Sequence, residues 1–187
     1  MDILAICGSV RSGSFNAMLV RTLPLLAPSG MTIIAAPSIE PIPPYNSDLQ
    51  AEGFPVSVTA LGDAIRNADG VIIATPEYNY SFPGVLKNAI DWISRLPEQP
   101  LKQKPVALQS ASQGALGGAR AQYHLRQVMV FVEALVLNRP EVIIAGVQGK
   151  VAASHGELTD ETTRAMITQQ LAAFEGFVRG AKRNAIL

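Results

Sequence analysis

The sequence contains one cysteine and two histidines among its 187 residues. A single cysteine, Cys7, cannot form an intrachain disulfide bond, which is typical of proteins in the reducing cytoplasm. The histidines, His124 and His155, show no metal-like spacing with each other or with Cys7, so no ligand set for a catalytic metal is visible. We therefore expect no metal site, and any redox chemistry would have to come from a bound organic cofactor.

Charge of either sign is also scarce. Lys and Arg number 15 and Asp and Glu number 15, giving a formal net charge of zero, so nothing indicates nucleic acid or an anionic membrane as a partner. The longest apolar stretch, 128–137, is interrupted by Glu133 and is about half as long as a membrane span requires. Asp2 stands where a signal peptide would be basic. These features predict a cytoplasmic protein without membrane insertion.

Apolar segments alternate with helical patterns along the whole chain. A hydrophobic fraction of 48% indicates a well-filled core, and the length suits one domain spanning 1–187. Short segments rich in Val and Ile are predicted as strands buried on both faces, at 2–7, 32–36, 70–75, 105–110 and 141–145. Helical patterns follow at 16–26, 55–67, 84–96, 119–137 and 160–182. This alternation predicts an α/β three-layer sandwich around a parallel sheet.

The predicted topology places three loops at one edge of the sheet. Five parallel strands of this class commonly adopt the order 2-1-3-4-5, and ligands bind beyond their carboxyl ends, where the strand order reverses. That switch point lies between the first and third strands. The loops at 8–16, 76–83 and 111–118 all end there, so we expect them to form the binding site.

The loop at 8–16 joins the first predicted strand to the first helix. It contains the amide Asn16, the permanent cation Arg11 and three hydroxyl groups, on Ser9, Ser12 and Ser14. A helix N-terminus presents unpaired backbone N–H groups and the positive end of the helix dipole, which together bind phosphate. The loop is therefore a candidate phosphate site, and an ordinary Gly/Ser turn is the alternative.

The glycine spacing of this loop excludes two common phosphate-binding motifs. The dinucleotide fingerprint is G-x-G-x-x-G, and Val10 occupies the place of its second glycine. The motif G-x-x-x-x-G-K-[ST] fits Gly8 and Gly13, but Ser14 replaces the lysine that meets the β- and γ-phosphates. A terminal monophosphate is the candidate that remains.

The other two loops offer places for a flat ring. The segment 75–84 holds three aromatic residues within five positions, bracketed by Pro76 and Pro83, which restrict the backbone at both ends. A hydrophobic plug over the sheet edge is the alternative interpretation. The segment 110–118 carries glycines that allow the backbone to approach a ligand closely, and a flexible loop is the alternative there.

Two helical patterns carry further expectations. In 84–96 Trp92 lies off the apolar stripe, so it is either a subunit contact or an additional part of the core. The pattern at 119–137 is apolar on nearly all sides from Val128 onward, which predicts burial on several sides. Pro24 predicts an early end or a kink of the first helix.

Three motifs together resemble the NAD(P)H-dependent FMN reductase family, and within it the soluble bacterial quinone and chromate reductases. They are Gly8-Ser-x-Arg11-x-x-Ser14-x-Asn16, Pro76-Glu-Tyr-Asn-Tyr80 and Leu86-Lys-Asn-Ala-Ile-Asp-Trp92. The similarity extends along the chain, including Gly117-Gly-Ala-Arg-Ala-Gln-Tyr-His-Leu-Arg126. The resemblance implies a flavodoxin-like fold, FMN as the cofactor and NADPH or NADH as the hydride donor.

Carried over motif by motif, the resemblance also implies the binding residues. The FMN phosphate would be held by Ser9, Arg11, Ser14, Phe15 and Asn16. The isoalloxazine would be lined by Pro76, Glu77, Tyr78, Asn79 and Tyr80. Its other side would be bordered by Ser112, Gln113 and Gly114. Because the flavin carries the chemistry, no side chain is expected to act as a general acid.

The activity implied by the resemblance is the two-electron reduction of quinones, with chromate, ferric complexes or azo dyes as further candidate acceptors. A flavodoxin-type electron carrier without a nicotinamide site is the alternative, although such carriers are typically strongly acidic. A non-enzymatic flavin-binding module is a third interpretation. The resemblance further implies homodimers, often dimers of dimers, with Arg120, Tyr123 and Glu141 as candidate polar contacts.

Overall fold

The computed structural model describes residues 1–152 and 156–184. A parallel sheet with the order β2-β1-β3-β4-β5 forms its centre, and β6 also pairs with β4. The strands are β1 (Asp2–Cys7), β2 (Thr32–Ala35), β3 (Gly70–Thr75), β4 (Pro105–Ala111), β5 (Leu135–Val136) and β6 (Val142–Ile144). The predicted order is confirmed, but its fifth position is divided: β5 pairs with the start of β4, and β6 pairs with its end.

Helices cover both faces of this sheet. They are α1 (Phe15–Leu26), α2 (Ser47–Glu52), α3 (Val56–Asn67), α4 (Gly84–Ile93), α5 (Ala119–Phe131) and α6 (Glu161–Asn184). Side chains of α1 and α6 pack with Ile3 and Ile72 in one apolar core. Side chains of α3, α4 and α5 pack with Leu4 and Ile73 in another, on the opposite face. Successive residues of a strand point to opposite faces, so the flavodoxin-like three-layer sandwich is confirmed.

Smaller elements complete the chain after β6. A short 3₁₀ turn spans Val147–Gly149, and β7 (Val151–Ala152) pairs antiparallel with β8 (Glu157–Leu158). His155, one of the two histidines, lies outside the described residues. The helix α2 was missed from the sequence because every one of its residues is at least partly exposed, so it has no apolar stripe. The predicted early end of the first helix at Pro24 is wrong, because α1 contains Pro24 and continues to Leu26.

The helix predicted at 119–137 is wrong in its second half. Helix α5 ends at Phe131, where Glu133 adopts a left-handed backbone (φ +52°) and the Ala134 N–H donates to the Met129 carbonyl. This pattern of bonds closes a helix C-terminus. Of the apolar residues beyond it, Leu135 and Val136 form strand β5. The expected burial on several sides is also wrong at Val130 and Phe131, which are 77% and 74% exposed.

Trp92 belongs to the core of its own chain. It is fully buried, and its indole Nε1 donates a hydrogen bond to the Pro43 carbonyl at 2.9 Å. Tyr45 and Phe54 contact its ring edge to face. The proline-rich connection after β2 folds over α4 and covers the side of the helix that the apolar stripe leaves open. The interpretation of Trp92 as a subunit contact is therefore wrong.

Candidate functional site

A cavity of about 290 Å³ opens at the carboxyl ends of β1, β3 and β4. All three predicted loops contribute to its walls. The lining residues are Ser9, Arg11, Ser14, Phe15, Asn16, Pro76, Glu77, Tyr78, Ala111, Ser112 and Gln113. Three of the predicted residues, Asn79, Tyr80 and Gly114, lie in these loops but do not line the cavity. Ala111 lines it although nothing in the sequence singled it out, because it contributes backbone rather than a distinctive side chain.

The first loop ends in a helix N-terminus that faces the cavity. Ser14 is the N-cap residue of α1, and its Oγ accepts a hydrogen bond from the Ala17 N–H at 3.2 Å. Phe15 and Asn16 are the first two residues of the helix, so their N–H groups have no helical carbonyl to bind. The guanidinium of Arg11 lies 5.4 Å from the Phe15 ring and makes no ion pair with the described residues.

The side chain of Asn16 points away from this row of donors. Its Nδ2 donates to the Ala111 carbonyl and its Oδ1 accepts from the Ala111 N–H, each at 3.0 Å. The side chain is buried, and both of its polar atoms are used in joining α1 to the end of β4. Of the polar groups of Asn16, only the backbone N–H is therefore available to a phosphate in the cavity, and the side-chain amide is not.

The start of the first loop is tightly packed. A Cβ atom at Gly8 would lie 2.9 Å from a methyl of Leu86 and 3.2 Å from the Ala74 carbonyl, so a side chain does not fit without movement. The preceding Cys7 donates its S–H to the Ser9 carbonyl at 3.3 Å. Burial raises the pKa of the Cys7 thiol, which keeps it protonated and unreactive at neutral pH.

The second loop contains a strained turn. The N–H groups and carbonyls of Tyr78 and Ser81 exchange two hydrogen bonds, at 2.8 and 3.0 Å. Between them, Asn79 (φ +49°) and Tyr80 (φ +73°) both adopt left-handed backbone conformations. Side chains disfavour this conformation, and such strain concentrates at functional sites. The rings of Tyr78 and Tyr80 are exposed.

Glu77 connects the second loop to helix α5. Its Oε1 lies 2.6 Å from both Nε and Nη2 of Arg120, and its Oε2 accepts from the Ala121 N–H at 3.4 Å. The Arg120 guanidinium also covers the Tyr80 ring at 3.6 Å from its centroid. No sequence pattern predicts this contact, because Glu77 and Arg120 are distant along the chain and neither has a diagnostic spacing.

The third loop is held by backbone bonds to the strand beside it. Ser112 donates its N–H to the Ile144 carbonyl at 3.0 Å and accepts from the Val147 N–H at 3.2 Å. Its Oγ accepts from the Gly114 N–H, so three hydrogen bonds of Ser112 hold the start of the loop. Helix α5 follows directly, with Gly118 as its N-cap residue.

Across 1–152 and 156–184, no three His, Cys, Asp or Glu side chains are grouped as they would be around a metal ion. The Nδ1 atom of His124 lies 3.1 Å from the Ser81 hydroxyl oxygen. Among the described helices, none combines the length and apolar character that crossing a membrane needs.

The site and the fold together define a class of protein. The cavity combines a polar helix N-terminus with a slot, which is the part of the cavity between 76–78 of the second loop and 111–113 of the third. This combination at the switch point of a 2-1-3-4-5 sheet is typical of flavodoxin-like mononucleotide-binding proteins. Residues 1–149 match the NADPH-dependent FMN reductase family. The chain belongs to that family.

Individual relatives match over nearly their whole lengths. The chain is 54% identical over 183 residues to a quinone reductase of Escherichia coli, covering 97% of each chain. It is 51% identical over 179 residues to an NAD(P)H-dependent FMN reductase of Pseudomonas aeruginosa, covering 96% of each. Among solved structures it resembles FerB, a flavoenzyme NAD(P)H:(acceptor) oxidoreductase from Paracoccus denitrificans, with a TM-score of 0.85, 34% identity and coverage of 96% and 98%.

Proposed function

We propose that this protein is an FMN-dependent NAD(P)H oxidoreductase that reduces quinones by two electrons. The observation that carries the proposal is a cavity in which phosphate-type donors at the start of α1 lie beside the slot between the second and third loops. The family membership and the quinone reductase relative support it. When bound, FMN supplies the redox chemistry: it takes hydride from a nicotinamide and passes two electrons to an acceptor.

The residues of the cavity fit the two ends of FMN. The hydroxyls of Ser9 and Ser14, the guanidinium of Arg11 and the free N–H groups at the start of α1 suit a terminal phosphate. Peptide groups of the segment from Pro76 to Tyr78 would contact the polar edge of the ring. Ser112 and Gln113 would border its other side, where the Gln113 N–H would meet negative charge on the reduced ring.

Purified protein tests this function directly. We expect a yellow preparation whose flavin absorbance bleaches rapidly with NADPH or NADH and returns when a quinone is added. Slow bleaching without acceptor turnover would favour the electron-carrier alternative. A colourless protein that fails to bind added FMN would contradict both flavin interpretations. Steady-state kcat/KM values for quinones, chromate and ferric complexes, measured with each nicotinamide, would rank the acceptors and donors.

Arg11 is expected to contribute most of the side-chain attraction for the phosphate. Charge-assisted hydrogen bonds contribute about 1.5–3 kcal/mol, so Arg11→Ala should weaken FMN binding roughly 10- to 100-fold. Fluorescence titration of FMN with the apoprotein measures this change. Arg179→Ala, which removes an exposed guanidinium on α6, is the matched control and should bind FMN as the wild type does. Equal affinities for both variants would contradict the role of Arg11.

We further propose that the protein forms a homodimer, or a dimer of dimers, in the cytoplasm. Tyr123, Val130 and Phe131 are exposed on α5, and an apolar patch of this kind is typical of an interface. Light scattering should report at least a dimer for the wild type and dissociation for Phe131→Asp. Val56→Asp changes an equally exposed apolar side chain on α3 and should leave the assembly intact. A monomeric wild type would contradict the proposal.

A further inference from the structure

The contact between Glu77 and Arg120 joins the two walls of the slot. Glu77 belongs to the second loop and Arg120 to the first turn of α5, which begins directly after the third loop. The Glu77 side chain is 8% exposed and that of Arg120 is 36% exposed. A carboxylate so far removed from water needs its cation and its hydrogen bonds, so the position of one loop depends on the position of the other.

The same carboxylate also completes a helix end. The N-cap residue of α5 is Gly118, which has no side chain with which to bind the free N–H groups of the first turn. Glu77 places negative charge there and accepts from the Ala121 N–H, an arrangement that the helix dipole favours. Glu77 therefore holds the whole start of α5, and with it the end of the third loop, against the second loop.

Arg120 also covers the strained turn. A turn with positive φ at both central residues usually has glycine at the second of them, but this chain has Tyr80 there. The guanidinium stacks on the Tyr80 ring, a cation–π contact that favours the observed position of the ring. The ion pair with Glu77 and the stacking contact with Tyr80 both depend on the planar, forked guanidinium of arginine, which lysine lacks.

We propose that Arg120 is a positioning residue for the flavin. Through Glu77 and Tyr80 it sets the separation of the second and third loops, and so determines how tightly the slot holds the isoalloxazine. This inference rests on the proposed placement of FMN in the cavity. Arg120 itself does not line the cavity, so its effect on the flavin acts through the loops.

Variants of Arg120 test the inference by FMN affinity and by the visible circular dichroism of the bound flavin. Arg120→Ala should bind FMN roughly tenfold more weakly, which corresponds to about 1.4 kcal/mol, and should change the flavin dichroism. Arg120→Lys should not restore either property. The control is Arg66→Ala, which removes a guanidinium paired with Asp63 and bonded to the Pro97 carbonyl; it should match the wild type in both.

A second pair of variants covers the case in which Arg120→Ala does not fold. Tyr80→Ala leaves both partners of the ion pair in place and removes the ring on which Arg120 stacks, so it should bind FMN more weakly, and Tyr80→Phe should recover most of that loss. The inference is overturned if wild type and Arg120→Ala bind FMN with the same affinity and dichroism, or if the Tyr80 variants do not differ. A wild type that does not bind FMN would instead refute the proposed site.

Discussion

Replacing Gly117 by alanine is expected to cause a large loss of stability. Gly117 has φ +58°, and a Cβ atom there would lie 2.7 Å from the Ala145 nitrogen and 2.8 Å from the Ile144 carbonyl carbon. These neighbours are backbone atoms at the end of β6 and cannot rotate away. We expect a loss of about 2 to 5 kcal/mol, the sum of ~1–2 for a left-handed L-residue and ~1–3 for overpacking.

Urea denaturation followed by circular dichroism measures this loss as a change in the free energy of unfolding. Gly176→Ala is the matched control, because Gly176 lies inside α6 and a Cβ atom there has open space. Helix propensity predicts that this control gains up to about 1 kcal/mol. The argument fails if Gly117→Ala unfolds at the same urea concentration as the wild type.

Replacing Asn16 by alanine should also cause a large loss of stability, in the apoprotein as well as in the flavin-bound form. The substitution removes both bonds to the Ala111 backbone and leaves its N–H and carbonyl without these partners. The expected loss is about 2 to 6 kcal/mol, because each of the two buried polar groups left unpaired costs about 1–3 kcal/mol. Folded Asn16→Ala should still bind FMN better than Arg11→Ala, since its backbone N–H is retained.

The control for Asn16 is Asn46→Ala. Asn46 is the exposed N-cap residue of α2 and accepts a single bond from the Asp48 N–H, so its loss should cost only about 1 kcal/mol. Equal urea midpoints for the two variants would show that the bonds of Asn16 to Ala111 contribute little. A loss of FMN affinity without any loss of stability would instead assign the Asn16 side chain to the phosphate.

Local patterns were sufficient for most of the fold. The strands β1 and β3 are continuous apolar runs because both of their faces are covered, and their predicted bounds agree with the structure. The end of α5 could not be predicted, because the apolar residues after Phe131 continue the helical pattern by coincidence. What ends the helix is the left-handed Glu133 and the pairing of Leu135 with Pro105, a contact between distant segments.

The candidate site was predictable only in part. Ser14 is a good N-cap residue and Arg11 is a cation in a short polar loop, so the place of both in a phosphate site could be predicted from neighbouring residues alone. The bonding of Asn16 to Ala111 was not, since an amide beside a helix N-terminus suits a phosphate and a distant backbone equally well. The burial of Trp92 depends on the loop that carries Pro43. The apolar periodicity of α4 contains no information about that contact.

The sequence by itself determined the order of strands and helices and the polar loop at a helix N-terminus, because short-range periodicity and helix capping act within a few residues. Its motifs also indicated the flavin reductase family. Only the tertiary structure decided how the loops are joined. Glu77 forms an ion pair with Arg120, the Arg120 guanidinium stacks on the Tyr80 ring, and the Asn16 amide forms hydrogen bonds with the Ala111 backbone. These partners meet because the parallel sheet brings the ends of distant strands together, and no local pattern encodes that proximity.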